Sequence, residues 1–474
     1  MSPYPDLRAF LATLEKHRQL LRVTAQVMPE PDLAAAACAL TRLGVESPAI
    51  AFSDIAGYTD AQVAMNVHGS WPNHALALGM EPDATPREQF HRFVEGYRRY
   101  PGELAFANEA PWQENVVESD INLYDLMPLF RLNRGDGGYF IDKPCVISRD
   151  PDDPGDDDIE NVGVYRLQVK GRNRLGIQTV PQHDIAVHLE HAEERGEDLP
   201  IAIALGNEPL ITLMAATPML YDQLEYKMAA AMQASPYRIV RMKSGLDVPW
   251  GSEYVLEGRI LGRQREPEGP FGEFPGYYSG SHRYPVIEID RVHHRTAPVF
   301  DAVYVGRPWT EIDYLQAMTT SAPIFVQLND AFPEVTAVNA LYTHGLVVIV
   351  STKVRYGGFA KAVGMRLLTT SHGIGYATIV IVVDHDVDPF DLNQVMWAMS
   401  VKVNPAGDVM ILPNLSSNLL NPAGQPQGMV HKMIIDATTP VAPDDRGDYG
   451  MELDTPQGTD AWRTTLAAMI KDLR

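Results

Sequence analysis

The sequence predicts a mixed α/β chain: an N-terminal α/β unit, a strand-rich middle that reads as a barrel or sandwich, and a second α/β unit with a helical tail. Three observations carry this. Helical and strand-like periods alternate up to about Pro111. Strand signals punctuated by Gly and Pro then dominate from Asn115 to about Val305, and from Arg307 onward continuous apolar strands alternate with helical stretches. The 474 residues leave room for about three domains of ~150 residues each. The expected divisions are 1–112, 113–305, 306–440 and a tail of 441–474.

The elements follow in order. Leu7, Phe10, Leu11 and Leu14 recur at helical spacing behind Asp6, a good N-cap. Two helices interrupt the strand-rich middle. One covers Ala186–Arg195; the other is expected to open at Thr217-Pro218, with proline in the first turn, and to run to about Met232. In the last unit, Gly345–Ser351 and Ala377–Asp384 read as buried strands, alternating with helices over Tyr356–Thr369 and Pro389–Val401. A short amphipathic helix, Ala461–Leu473, ends the chain, and no fixed-period repeat is present.

Composition narrows the function. With 61 acidic against 39 basic residues the formal charge is −22, which opposes binding to nucleic acid or to an anionic membrane. A carboxylate substrate would likewise need a local cationic pocket. Cys38 and Cys145 lie far apart without CxxC spacing, which excludes a disulfide scaffold and a thiolate zinc site. The polar, proline-containing start lacks signal-peptide character, and no apolar run reaches the length of a membrane span. These features predict a soluble cytoplasmic protein.

Several familiar motifs are missing: GxxxxGK[ST], GxGxxG, HExxH and GxSxG do not occur. The acidic stretch Pro151–Glu160 lacks the spacing of a calcium loop and reads as a solvated turn. His188 and His191, among Glu190, Glu193 and Glu194, imitate a metal site but read as an exposed polar helix face.

Three segments do carry chemistry. Glu268-Gly-Pro-Phe-Gly-Glu273 sets two carboxylates in a Gly/Pro loop. Either they are solvated acids on a tight turn, or a pair whose surroundings push their pKa values apart. Asn161-Val-Gly-Val-Tyr-Arg166 is followed by Gln182-His183, and Ala215-Ala-Thr-Pro218 precedes Glu225. Asn161, His183 and Glu225 offer O, N and O donors, a mixture suited to Mn²⁺. Taken singly, each could equally be a core or helix-face residue. Asn161 and Arg166 fall on opposite faces of an ideal strand, so one shared site would need a bulge near Gly163.

Together, in their order and spacing and with Lys432–Pro440, these segments resemble the UbiD family of decarboxylases along nearly the whole chain. The look is closest to members acting on aromatic, hydroxyarylic acids. The resemblance implies a flavin-binding split β-barrel joined to an α/β oligomerisation domain, in a homodimer or homohexamer. It implies prenylated FMN, supplied by a flavin prenyltransferase, with Mn²⁺ or a similar ion and, as in some members, K⁺. Asn161, His183 and Glu225 then match the metal ligands. Arg166, Glu268 and Glu273 match the catalytic network, and Val164, Tyr165, Gln182, Thr217 and Pro218 match positions at the flavin. Two departures stand out: Ala215-Ala216-Thr217 replaces a serine-rich stretch at the monovalent-ion site, and Lys402 replaces a common arginine.

The chemistry fits that resemblance. Removing CO₂ from an sp² carbon leaves an electron pair that only a cofactor can accept. Arg166 is a planar fork for a carboxylate, Glu268 would orient it, and Glu273 would return a proton to carbon. Phe274, Tyr277 and Tyr278 could stack a flat ring. An aromatic or heteroaromatic acid is the expected substrate. An α,β-unsaturated acid, or flavin binding without chemistry, is the alternative.

Overall fold

In the computed structural model, which describes residues 4–44, 47–153, 155, 159–181, 183–443, 453 and 455–472, the strands form four sheets. The first helix, Leu7–Lys16, is capped as its sequence demands: Asp6 Oδ1 accepts the Ala9 amide at 2.8 Å, and Leu7, Phe10, Leu11 and Leu14 are all buried. Strands Leu20–Val23, Ala49–Phe52 and Gln62–Met65 form the N-terminal sheet. Its fourth strand is Val299–Ala302, which pairs in parallel with Gln62–Met65 after the chain has left the barrel. The helix Pro86–Tyr97, started by a reciprocal Thr85–Glu88 capping box, packs against the helices Glu225–Gln233 and Ala317–Asn329.

The middle of the chain makes a nine-stranded antiparallel sheet, with Leu104–Phe106 in a small satellite sheet. Its spine is one long hairpin, Tyr254–Glu268 paired with His282–His294. Strand Glu160–Val164 lies at one end of the strand order, beside Cys145–Arg149. Strand Leu167–Val169 lies near the other end, between Phe140–Ile141 and Arg174–Ile177. Only Tyr165 and Arg166 separate them, so the chain steps across the open seam of the barrel there.

The last unit stacks helix Ala317–Asn329 against a five-stranded sheet in the order Val335–Tyr342, Val347–Thr352, Ile379–Asp384, Met429–Ala437, Val409–Ser416. The three central strands are parallel, and both edge strands antiparallel. Helices Phe359–Leu367 and Leu392–Lys402 provide the crossovers. Lys402 is internal here: its Nζ donates to Asp384 Oδ2 at 2.8 Å and to Thr439 Oγ1 at 3.0 Å. The tail helix spans Thr459–Asp472, and Leu473 lies outside the described residues.

Two expectations need correction. Thr217-Pro218 does not open a helix. Thr217 closes the helix Pro209–Ala215, its amide on Met214 O and its hydroxyl on Leu213 O, and the next helix begins only at Glu225. The working start signal is Glu208-Pro209, where the Glu208 carboxylate accepts the Leu210 and Ile211 amides. His188 is not on an exposed face either; it is buried, its Nδ1 2.9 Å from Ser148 Oγ. His191 does face outward, paired with Asp150.

One buried charge cluster ties the units together. Lys143 Nζ, from the barrel, reaches Asp301 Oδ1 at 3.0 Å and Glu311 Oε1 at 2.8 Å. Glu311 Oε1 also accepts the His68 amide of the N-terminal unit. Burial of three charges is tolerable because they satisfy one another.

Candidate active site

The tip of the long hairpin is built to hold two glutamates. Glu268 ends one strand and Glu273 sits in the connection. Gly269, at φ 88°, allows the turn; a Cβ there would lie 2.7 Å from Gly280 O. The loop is pinned at nearly every residue. Gln168 Oε1 accepts the Gly269 amide, Pro270 O accepts the Gly137 amide, and Asp136 Oδ1 accepts the Gly272 amide at 2.8 Å. Ser279 holds Phe271 from the returning side, and the Glu273 amide donates to Tyr277 O.

Arg166 meets this loop from the seam. Its Nε and Nη2 donate to the two oxygens of Glu268 at 3.0 and 2.8 Å, a two-pronged pair, while Nη1 bonds Glu273 Oε1. Its guanidinium also lies 5.4 Å from the centre of the Phe271 ring. All three charged groups are nearly out of solvent, with side-chain exposures of 6, 0 and 12% for Arg166, Glu268 and Glu273. Burial opposes the Arg166 charge, but the two glutamates outweigh it and raise its pKa. Burial pushes the Glu273 carboxyl above its usual range, against the pull of Arg166. Arg166 can therefore bind an anion where Glu273 gives way, and Glu273 can hold a proton. Glu273 opens on a cleft of about 630 Å³ between the hairpin, with Tyr278 and Tyr284, and the C-terminal unit, with Leu419 and Pro422. A smaller cavity of about 200 Å³, beside Leu78, Arg92 and Met232, holds none of these groups.

The second cluster lies on the other side of Tyr165. Asn161 is buried on the seam strand, its amide nitrogen 3.4 Å from the Tyr165 hydroxyl. The Tyr165 ring stands edge-on to His183, 5.4 Å between centres. Gly163 is glycine because a Cβ there would strike the Tyr165 ring at 2.4 Å. No bulge is needed: the strand simply ends at Val164, and its halves belong to opposite margins of the sheet. Glu225, at the start of its helix, accepts the Val162 amide at 3.0 Å through Oε2.

This donor set fits a divalent cation. Glu225 is 5% exposed and has no basic partner among the described residues, and burial drives its carboxyl well above the usual range. His183 Nδ1 is buried without a hydrogen bond to any described residue, and desolvation lowers the imidazole to about 4. A buried acid and a neutral imidazole, each short of a partner, are what an ion would satisfy. A third group, Asp150, Asp152 and His191, is already engaged: His191 pairs with Asp150, and Arg195 with Asp152.

Of the remaining positions marked in the sequence, Val164 is half-buried beside Tyr165, Thr217 is buried and Pro218 half-buried; Gln182 lies outside the described residues. Phe274 is buried, whereas Tyr277 and Tyr278 are 63 and 52% exposed. Sequence reading missed Asp136, which carries the Gly272 amide. It also missed His344, from the last unit, which stands against Phe274 and has His372 and Tyr376 packed on it. Nothing local marks these, because only the tertiary fold brings them together.

Comparison with known proteins agrees with this architecture. Three 3-octaprenyl-4-hydroxybenzoate carboxy-lyase domains match in order: the N-terminal domain over residues 11–93, the Rift-related domain over 105–308 and the C-terminal domain over 313–437. The chain belongs to the UbiD family of carboxy-lyases. It is 58% identical, over 98% of its length and 99% of the relative's, to the phenolic acid decarboxylase of Bacillus subtilis. Vanillic acid decarboxylase of Sedimentibacter hydroxybenzoicus, in its closed form, superposes with a TM-score of 0.92 at 50% identity, covering 99% of both chains. An evolved dimeric form of the UbiD-class enzyme HmfF from Pelotomaculum thermopropionicum, in complex with prFMN, gives 0.81 at 28% identity, covering 97% of this chain and 98% of that one. Among the described residues no helix is long and apolar enough to cross a membrane.

Proposed function

We propose that this protein is a cytoplasmic decarboxylase of a phenolic acid and uses prenylated FMN. The observation that carries the reading is the buried Glu268–Arg166–Glu273 trio at the hairpin tip. The relatives named for phenolic and vanillic acids support the substrate class, and the prFMN-bound neighbour supports the cofactor. When bound, prenylated FMN supplies the electron sink that decarboxylation at an sp² carbon requires.

The chain's own residues do the rest. Asn161, His183 and Glu225 would hold Mn²⁺ or a similar ion, with K⁺ as a companion ion, and so supply positive charge for an anionic cofactor. Val164, Tyr165, Gln182, Thr217 and Pro218 would border the flavin. Arg166 receives the substrate carboxylate on the edge that Glu273 now occupies, while Glu268 keeps the guanidinium oriented through its two-pronged pair. Glu273, displaced from the arginine, loses the interaction that holds its pKa down. Its burial then favours the protonated acid. It delivers that proton to the ring carbon after CO₂ departs. Trp462, Leu466 and Met469 form an exposed apolar stripe along the tail helix, which supports assembly as a homodimer or homohexamer.

The test is co-expression with a flavin prenyltransferase, followed by absorbance of the purified protein and CO₂ release from a panel of aromatic acids. Release from hydroxybenzoates by flavin-loaded protein is expected. Loaded protein that releases none from any acid would overturn the reading.

A further inference from the structure

The hairpin between strands Val335–Tyr342 and Val347–Thr352 turns through three consecutive left-handed residues, Thr343, His344 and Gly345, at φ 49°, 56° and 76°. Only the glycine enters that region freely. A β-branched threonine is strained there, a histidine less so, and such strain concentrates at functional sites. The glycine is itself constrained, since a Cβ would come 3.2 Å from His372 Nε2.

The strained turn presents one side chain to the interior. His344 is 8% exposed and stands in a cage of rings. Its ring centre is 5.3 Å from Phe274, the residue after Glu273, 4.4 Å from Tyr376 and 5.2 Å from His372. His372 lies flat on Tyr376 and places Nε2 3.2 Å from the His344 carbonyl oxygen. The backbone and the flanks of His344 are therefore fixed, yet its Nδ1 is buried without a hydrogen bond to any described residue. A buried imidazole nitrogen left unpaired is costly, and a ligand would satisfy the one that this preorganised turn holds.

The cage borders the acid network. The Glu273 charge acts on Tyr376, and His344 stands against Phe274, the residue that follows Glu273. Burial keeps His344 well below its ordinary pKa, holds His372 at about 4 and pushes Tyr376 up to about 12. The wall is thus neutral at physiological pH. It offers a donor and an acceptor but no charge, so it does not compete with Arg166 for a carboxylate.

We infer that His344 hydrogen-bonds the hydroxyl of the phenolic acid, with Phe274 and Tyr376 bounding the ring, and so sets the preference for hydroxylated substrates. This rests on the decarboxylase reading above, and its failure can be told apart from the failure of that reading.

The experiment compares flavin-loaded wild type, His344→Gly and His344→Asn for kcat and KM on benzoate and on 2-, 3- and 4-hydroxybenzoate, with melting temperature and flavin absorbance as controls. Glycine adopts the left-handed turn freely but removes the imidazole. Asparagine tolerates it and keeps a donor and an acceptor. Wild type should prefer one hydroxybenzoate over benzoate in kcat/KM, and His344→Gly should lower that preference by about 10²-fold or more, chiefly in KM. His344→Asn should fall between the two. A preference that survives in His344→Gly, or is absent from an active wild type, overturns the assignment. If His344→Gly fails to hold flavin, His344→Asn decides alone, an unchanged preference counting against the proposal. A loaded wild type inactive on all four acids removes the decarboxylase reading itself.

Discussion

Arg166 carries its charge almost out of solvent because three donors meet two carboxylates in fixed geometry. A lysine in its place would keep the charge and lose the fork. We expect Arg166→Lys to lower kcat/KM by about 10- to 100-fold, the loss of one strong charge-assisted hydrogen bond, while the melting temperature stays near wild type. Near-normal turnover with a lowered melting temperature would make Arg166 a scaffold residue. At this scale the sequence was informative: both glutamates, the arginine and the O, N, O donor set stand in short segments. What it hid was partnership over distance. Asp136 lies more than a hundred residues from Gly272, and His344 is separated from Phe274 by the whole link between two units.

Elements explain how neighbours in sequence serve different ends. Asn161 and Arg166 face separate tasks because the strand ends at Val164 and resumes across the barrel seam, a topology that strand periodicity alone cannot express. The misread helix start at Thr217 has a similar cause. A threonine before proline caps a helix only if the next turn finds room, and here Thr217 is spent closing the preceding helix. The helix that begins at Glu225 brings that carboxylate to the Val162 amide, beside Asn161. Two predictions belong here. His183→Ala should strip the divalent ion from purified protein and weaken flavin retention; full flavin occupancy without metal would break the proposed link. The second concerns pH. The folded-state pKa of Glu225 is raised, so without metal its contribution to stability is present below about 4.5 and lost as pH rises toward the folded value. A bound cation reverses that loss. The rise in melting temperature on adding Mn²⁺ should therefore be larger at pH 8 than at pH 5.5, and an equal rise at both would contradict the ligand assignment.

On the scale of the whole molecule, the site exists only when all units are in place. The barrel supplies the acid network and the ion-binding groups, the C-terminal unit closes the cleft with Leu419 and Pro422, and Lys143 locks these two to the N-terminal sheet through Asp301 and Glu311. Lys143→Met should strand two buried carboxylates and cost about 3–5 kcal/mol of unfolding free energy, read by denaturant titration; an unchanged midpoint would show the cluster to be dispensable. The broad division into α/β, strand-rich and α/β parts was visible in the alternation of periods. The return of Val299–Ala302 to the first sheet was not, since a four-residue strand does not declare its partner. The central claim is that this assembly exists to place a protonated Glu273 beside the carbon that loses CO₂. It is tested most directly by CO₂ release from flavin-loaded Glu273→Gln, matched to wild type in flavin and metal content. The expected result is a loss of about 10²- to 10⁴-fold in turnover; wild-type turnover by the fully loaded variant would contradict it.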